Sequence, residues 1–168
     1  ACKFFTNNLK SNSKALEYLS KRGISDAAIS AFSLGLAPKG VNELKDYLTN
    51  LGFTVDELYK AGLVSEKEGR YYDRFKNRII IPIKDVNSNT IAFGARAIID
   101  GQTPKYLNSP ESLIYNKSNV LFGMNYAKDE ISRKDSVIFM EGYFDVISAH
   151  MGGVKNAVAT CGTALTPD

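Results

Sequence analysis

The sequence predicts an α/β protein, an α+β first part followed by a βαβ unit, and three observations carry that expectation. Apolar residues recur at helical spacing through the first third of the chain. The middle switches to β-branched residues and alternation around a cluster of turn formers. The last part holds two short apolar runs, each closed by a glycine turn and separated by a helical stretch.

The helical first third is structural in character. From Ala15 to Arg22, Leu16 and Leu19 share a face, and Gly23 stops the helix. Ser25 is placed to cap a second helix that turns Ala28, Ile29 and Phe32 inward. A third, from Asn42 to Leu51, repeats Leu44, Tyr47, Leu48 and Leu51 and ends at Gly52. Thr54 and Glu57 have capping-box spacing and open a helix that carries Leu58 and ends near Gly62.

In the middle, Arg78-Ile-Ile-Ile-Pro-Ile83 reads as a strand, Asp85 to Asn89 as a turn and Thr90 to Arg96 as a second strand, together a β-hairpin. Ile91, Phe93 and Ala95 face one way. Thr90, Ala92, Gly94 and Arg96 face the other, a surface of small residues that a bulky backbone can approach. Pro82, which has no N–H to give a ladder, predicts an edge position. The segment Pro104 to Glu111 has two prolines and predicts a surface loop. It gathers Lys105, a mobile point charge; Tyr106, a stacking plate; and Asn108 and Ser109, hydrogen-bonding groups.

The last part has the strongest architectural signal. Ser136 to Met140 predicts a strand buried on both faces, followed by Glu141-Gly142-Tyr143-Phe144-Asp145 and a helix ending at Gly152-Gly153. Asn156 to Thr160 predicts a second strand, and Cys161-Gly162-Thr163 a second tight turn. Such a βαβ unit crosses over right-handed and works at the carboxyl ends of its strands, where Glu141 falls. Asp145 lies at the helix N-terminus, where a carboxylate is welcome as a cap or as a functional group. One Glu and one Asp make a poor magnesium site alone, so a two-metal site needs further acids.

Composition bounds the function. With 168 residues, 44% hydrophobic and 23% charged, the chain reads as globular, neither disordered nor fibrous. No apolar run reaches the roughly 18–20 residues of a membrane span, and the first residues lack signal-peptide order, so a soluble, cytoplasmic protein without membrane contact is expected. Two distant cysteines, Cys2 and Cys161, give neither a disulfide framework nor a zinc site. The single His150 follows an apolar stretch and reads as structural, which excludes a His-centred triad. No phosphate loop, zinc-protease or calcium-loop motif is present. The net charge is only +3, but Arg70 to Lys117 holds eight basic residues against four acids, interleaved with Tyr71, Tyr72, Phe75, Phe93, Tyr106 and Tyr115. That mixture suits a strand of phosphates with stackable bases, but composition alone favours a solvated sheet face over aromatic core positions.

Taken in order, Tyr72-Asp-Arg-Phe-Lys-Asn-Arg-Ile-Ile-Ile-Pro-Ile83, Phe93-Gly-Ala-Arg96, Pro104 to Glu111, Tyr115-Asn-Lys117, Leu121-Phe-Gly123, Glu141-Gly-Tyr-Phe-Asp145 and Gly162-Thr163 resemble bacterial DnaG-type DNA primases. Tyr18-Leu-Ser-Lys-Arg-Gly23 and Gly35-Leu-Ala-Pro38 resemble that family too, so the resemblance spans nearly the whole chain. It implies a template- and nucleotide-binding subdomain over residues 1–117 and an incomplete Toprim domain over 118–168. It also implies a fragment of a DNA-directed RNA polymerase, a nucleotidyltransferase of the replication primosome. That enzyme joins ribonucleoside triphosphates into a short RNA primer on single-stranded DNA. Arg74, Arg78, Arg96, Lys105, Tyr106, Asn108 and Lys117 are the implied template and nucleotide contacts. Glu141 and Asp145 are the implied catalytic pair, with Glu141 also at the metal. The cationic groups are expected to line one groove leading to Glu141.

The family further implies Mg2+ or Mn2+, an Asp-x-Asp metal motif downstream of Asp168, a separate upstream zinc module, and a helicase-binding region beyond the C-terminus. Residues 1–168 alone are therefore expected neither to polymerise nucleotides nor to bind magnesium tightly. Ala95, Ile81, Asn87-Ser88-Asn89, Ser118 and Cys161 depart from the family pattern, and none of these departures removes a charged group. Another Toprim enzyme, or a non-catalytic nucleic-acid-binding module, remain the alternatives. The basic hairpin and the Pro104–Glu111 segment ahead of Glu141 separate the first, and an Asp-x-Asp downstream separates the second.

Overall fold

The computed structural model describes residues 1–162. The chain opens with α1 (Cys2–Lys10), α2 (Ser13–Lys21) and α3 (Asp26–Ala31). Side-chain oxygens start two of these: Asn12 accepts from Ala15 N (2.9 Å) and Ser25 from Ala28 N (3.2 Å). After the short strand β1 (Gly35–Ala37) come α4 (Glu43–Asn50) and α5 (Val55–Lys60). The expected capping box holds, with Glu57 N donating to Thr54 Oγ1 and Thr54 N to Glu57 Oε2. Helix α4 is capped from a distance. Asn42 makes no cap bond, and the buried carboxylate of Asp73 accepts from Leu44 N (2.8 Å) and Lys45 N (2.9 Å) instead. Burial pushes the Asp73 carboxyl above its ordinary value, while these two N–H groups pull it back.

A two-stranded hairpin, β2 (Val64–Lys67) and β3 (Arg70–Asp73), delivers Asp73 to that position. Its turn residues, Glu68 and Gly69, both lie at positive φ, the backbone that joins two strands most tightly. The predicted hairpin follows as β4 (Arg78–Lys84) and β5 (Thr90–Ala97), and its turn is tied by Asp85, which accepts from Asn87 N and Asn89 N. With β6 (Tyr106–Asn108) these strands form a four-stranded sheet of order β1-β4-β5-β6.

Both faces of this sheet are buried. Ile79, Ile81, Ile83 and Ala92 enter one core with Leu19, Ala28, Phe32 and the later elements. Ile80, Phe93 and Ala95 enter the other with Phe5, Leu44, Leu48 and Leu58.

The remainder is β7 (Leu121–Phe122), α6 (Met124–Lys134), β8 (Ile138–Met140), α7 (Tyr143–Met151) and β9 (Ala157–Thr160). Strands β8 and β9 are parallel, with Ile138 opposite Ala157 and Met140 opposite Ala159, so the expected βαβ unit is present. Strand β7 pairs antiparallel with the other side of β9, giving the order β7-β9-β8. No helix among the described residues is long and apolar enough to cross a membrane.

Three local expectations are corrected. Pro82 does not mark an edge strand: β4 is flanked by β1 and β5. It is tolerated because β1 is only three residues long and its ladder stops at Ile80, leaving Pro82 facing Phe93 alone. Strand β8 is not buried on both faces, since Ile138 and Phe139 are 41% and 44% exposed. It is the outer strand, with no further strand beside it among the described residues. The Pro104–Glu111 segment is not wholly a loop, because Tyr106–Asn108 pairs with Gly94–Arg96 as the sheet's edge.

His150 is buried within the first core, its Nε2 2.8 Å from the carbonyl oxygen of Ala157 and its ring edge-on to Phe32. Burial holds its pKa below the ordinary histidine value. A depressed histidine contributes stability that is present above about pH 6.5, the unfolded value, and is lost as pH falls through the folded one. We therefore expect the thermal midpoint to fall between pH 7 and pH 5, and to fall less in His150→Gln, which keeps a donor but does not titrate. Parallel melts of the two proteins check this.

Candidate functional site

The carboxyl end of β8 opens into a cleft of about 380 Å3. Tyr106 and Asn108 of β6 form one rim; Glu141, Gly142, Tyr143 and Asp145 form the other; Thr160 and Gly162 close the end. The chain builds the second rim by stopping β8 at Met140, turning at Gly142 and starting α7 at Tyr143. Glu141 then stands exposed beyond the strand end, and Asp145 stands exposed in the first helical turn, where the helix dipole favours a carboxylate. Tyr143 points the other way, into the core, and packs on Phe122.

A second pocket of about 370 Å3 lies on the far side of Tyr106's neighbours, lined by Tyr18, Arg22, Arg96, the Ala97–Thr103 stretch and Lys105. Its centre is a pair of guanidinium groups sharing one phenol. Arg96 Nε donates to Tyr18 Oη (2.7 Å) and Arg22 Nε donates to the same oxygen (3.0 Å). Arg96 also donates to Tyr106 Oη and lies 4.8 Å from the centre of the Tyr106 ring. Phe144 forms a further wall under both arginines. Tyr106 thus belongs to both places, lining the carboxylate cleft while covering Arg96.

The predicted single groove is therefore only partly formed. Arg96, Lys105, Tyr106, Asn108, Glu141 and Asp145 are brought together around β6 and the end of β8. Arg78 is not with them. It stands opposite Ala97, whereas Arg96 stands opposite Ile79, so alternation sends the two guanidinium groups to opposite faces of the sheet.

Arg78 is 4% exposed and its Nη1 reaches the carbonyl oxygen of Lys105 (3.4 Å). Arg74 donates twice to the carbonyl of Asn108, at 3.2 and 2.9 Å. Arg74 thus holds the last residue of β6 and Arg78 the residue just before it, and burial lowers the pKa of each. Arg96 is itself 5% exposed, with Tyr106 as its cover. Lys105 is exposed. Lys117 is half-buried on the Cys161 side, its backbone N donating to Glu111 Oε1 (3.1 Å).

Sequence reasoning missed Arg22 and Tyr18. Both lie in the Tyr18–Gly23 motif, but a basic residue in the last turn of a helix reads first as a dipole partner, and Arg22 falls outside the basic window.

A divalent cation can be weighed on the donors present. Glu141 and Asp145 are two exposed carboxylates on one cleft, a fit for a hard cation that takes one or two carboxylates and completes its shell with phosphates. No three Asp, Glu, His or Cys gather among the described residues, so the pair is a partial site. Thr163 and the following residues lie outside the described ones.

The family model of the DNA primase catalytic core, N-terminal domain, matches residues 4–128, and that of the Toprim domain matches 135–168. A DNA primase of Clostridium acetobutylicum is 44% identical over 169 aligned positions that cover all of this chain and 28% of the relative. The chain thus spans little more than a quarter of that relative's length. The RNA polymerase domain of Mycobacterium tuberculosis primase DnaG, solved with a double-stranded DNA oligomer bearing a 6-nucleotide overhang, superposes with a TM-score of 0.93 at 38% identity. That match covers 98% of this chain and 53% of the other. A DnaG primase catalytic domain bound to single-stranded DNA superposes with a TM-score of 0.87 at 35% identity, covering 98% and 54%.

The two roles of the basic residues separate by stability. Arg74→Ala removes a charged donor from a half-buried carbonyl and should lower unfolding free energy by about 1.5–3 kcal/mol. Tyr106→Ala at the exposed rim should change it by less than about 1 kcal/mol. Denaturant melts of the two variants check this.

Proposed function

The chain belongs to the DnaG-type DNA primase catalytic core family, and on that premise we propose that it is the template-binding part and first Toprim segment of an enzyme that makes RNA primers on single-stranded DNA. The observation that carries this reading is the junction at Tyr106, where a pocket of two arginines and a lysine meets a cleft with two carboxylates. Cations beside a carboxylate cleft suit a reaction in which a triphosphate is gripped at one end and opened at the other.

In this proposal Lys105, Arg22 and Arg96 hold phosphates of template and incoming ribonucleotide. Arg does so as a planar fork and Lys as a point charge. Tyr106 offers its ring to a base and leaves Arg96 available as it moves. Lys117 contributes positive charge on the Cys161 side. Asn108 faces the same cleft.

Glu141 is exposed at the strand end, free to accept the proton of an attacking hydroxyl or to hold a cation. Asp145 stands beside it. Glu141 and Asp145, with acids from beyond Asp168, would hold Mg2+ or Mn2+, which when bound would supply neutralisation of phosphate charge. Arg74 and Arg78 act through β6, which they hold in register.

The division into residues 1–117 and 118–168 is supported by β7, which starts at Leu121 and pairs with β9 rather than with the first sheet. The zinc module, the helicase-binding region and the Asp-x-Asp motif belong, in this proposal, to the remainder of the longer protein.

Two linked measurements test the reading. The 168-residue chain should bind single-stranded DNA weakly, with affinity falling steeply as salt rises; Lys105→Ala or Arg22→Ala should each cost about 3- to 10-fold and flatten the salt slope by about 0.7. The full-length protein should make primers with Mg2+, and Glu141→Gln should lower kcat by about 100-fold or more. Residues 1–168 alone should make none. Salt-independent binding, or full activity in Glu141→Gln, would refute the proposal.

A further inference from the structure

We propose that Asn108 is a positioning residue that sets the width of the cleft, by tying strand β6 to the turn after β9 through its side-chain amide. Asn108 Nδ2 donates to the carbonyl oxygen of Cys161 at 2.9 Å, a bond between residues 53 positions apart. It joins the rim that carries Tyr106 to the end of the strand paired with β8, from which Glu141 projects.

Asn108 is itself held on both sides. Its backbone carbonyl accepts the two bonds from Arg74, and its Cα pairs with Gly94 of β5. The amide is therefore presented by the sheet, and its Oδ1 is buried with no hydrogen-bond partner among the described residues. The Nδ2 end of the side chain is thus committed to the fold, although the residue also lines the cleft.

The other rim is anchored by the same cluster. The hydroxyls of Tyr115 and Tyr143 are buried without a geometric hydrogen-bond partner among the described residues and lie by the Cys161 thiol, which is wholly inaccessible. Gly94 leaves room for the Tyr143 ring; a Cβ there would collide with the ring carbons and sit 3.3 Å from Asn108 Oδ1. Gly162, in a left-handed turn, lies against the amide, and a Cβ there would sit 3.3 Å from Asn108 Nδ2. Widening the cleft therefore breaks the Asn108–Cys161 bond and opens a path to a thiol that is otherwise sealed. Cys161 reports on the tie without any assumption about substrate.

The thiol experiment stands alone, and a kinetic experiment rests on the primase reading. In a Cys2→Ser background Cys161 is the sole thiol, because the chain has two cysteines. Reaction with an aromatic disulfide reagent should speed up about 3- to 10-fold in Asn108→Ala, the effect of losing one neutral hydrogen bond. The gain should persist unchanged across low urea, the mark of a local opening rather than global unfolding. Tyr106→Ala, on the same rim but outside the tie, should label within twofold of the parent. Should Asn108→Ala not fold, Tyr143→Phe keeps the ring, removes the hydroxyl at the same junction and should also speed labelling.

In the full-length protein, Asn108→Ala should lower kcat with KM for ribonucleotide nearly unchanged. Parental labelling in both variants would overturn the proposal. So would a raised KM with parental labelling, which would make Asn108 a direct nucleotide contact. A parent full-length protein that makes no primer would refute the functional reading instead, and the thiol rates would still decide this one.

Discussion

The closeness of helix α7 to strand β5 is the constraint from which the rest of the arrangement follows. The Tyr143 ring sits so close to Gly94 that a Cβ there would collide with it, and its hydroxyl is buried near Asn108 and Cys161. That contact fixes the first turn of α7 relative to the sheet. It therefore fixes Glu141 and Asp145, which flank Gly142 on either side of that turn. Had position 94 any β-carbon, α7 would stand off, the first core would lose the Val146 and Ile147 packing, and the cleft would have a different shape. The small-residue face of β5 is thus a docking surface for the protein's own helix.

Near the site Arg96 is buried while Arg22, which shares its phenol partner, is exposed. Arg96 and Arg22 make no ion pair among the described residues, yet share Tyr18 Oη and the faces of Tyr106 and Phe144. A guanidinium tolerates such company because it is weakly hydrated and stacks on rings. Among the described residues no ion pair matches this charge, although Asp100 lines the same pocket, and an anion is a natural further complement. Arg74 and Arg78 also have no carboxylate partner among the described residues but have carbonyl oxygens as partners. The distinction between the two pairs lies in what each touches: aromatic rings that can move, or a backbone that cannot.

Much of this was legible in the residues. The Thr54–Glu57 box, the Ser25 cap, the β4–β5 hairpin and the βαβ unit each have a local signal that nothing else in the fold overrides. The structural reading of His150 agrees with its bond to Ala157. What was illegible is non-local. Strand β1 is three residues long and exists because β4 offers it a ladder. Helix α1 and the β2–β3 hairpin lacked strong caps or an Asn-Gly turn. Strand β6 is flanked by prolines, and only its pairing with β5 and the Arg74 and Arg78 bonds make it a strand. For the site, sequence order could gather the basic residues into a window but could not tell which face of a strand each would take. Alternation with respect to Ile79 and Ala97 decided that, and it separated Arg78 from Arg96.

The central claim is that single-stranded nucleic acid crosses the junction where Tyr106 separates the arginine pocket from the carboxylate cleft. Photo-crosslinking an iodouracil-substituted single strand to the 168-residue chain, followed by peptide mapping, tests it most directly. The account predicts adducts at Tyr106 and Tyr18, reduced at high salt. Adducts concentrated instead on the exposed Leu51, Phe53 and Tyr59 around α4 and α5, with Tyr106 unmodified, would contradict it.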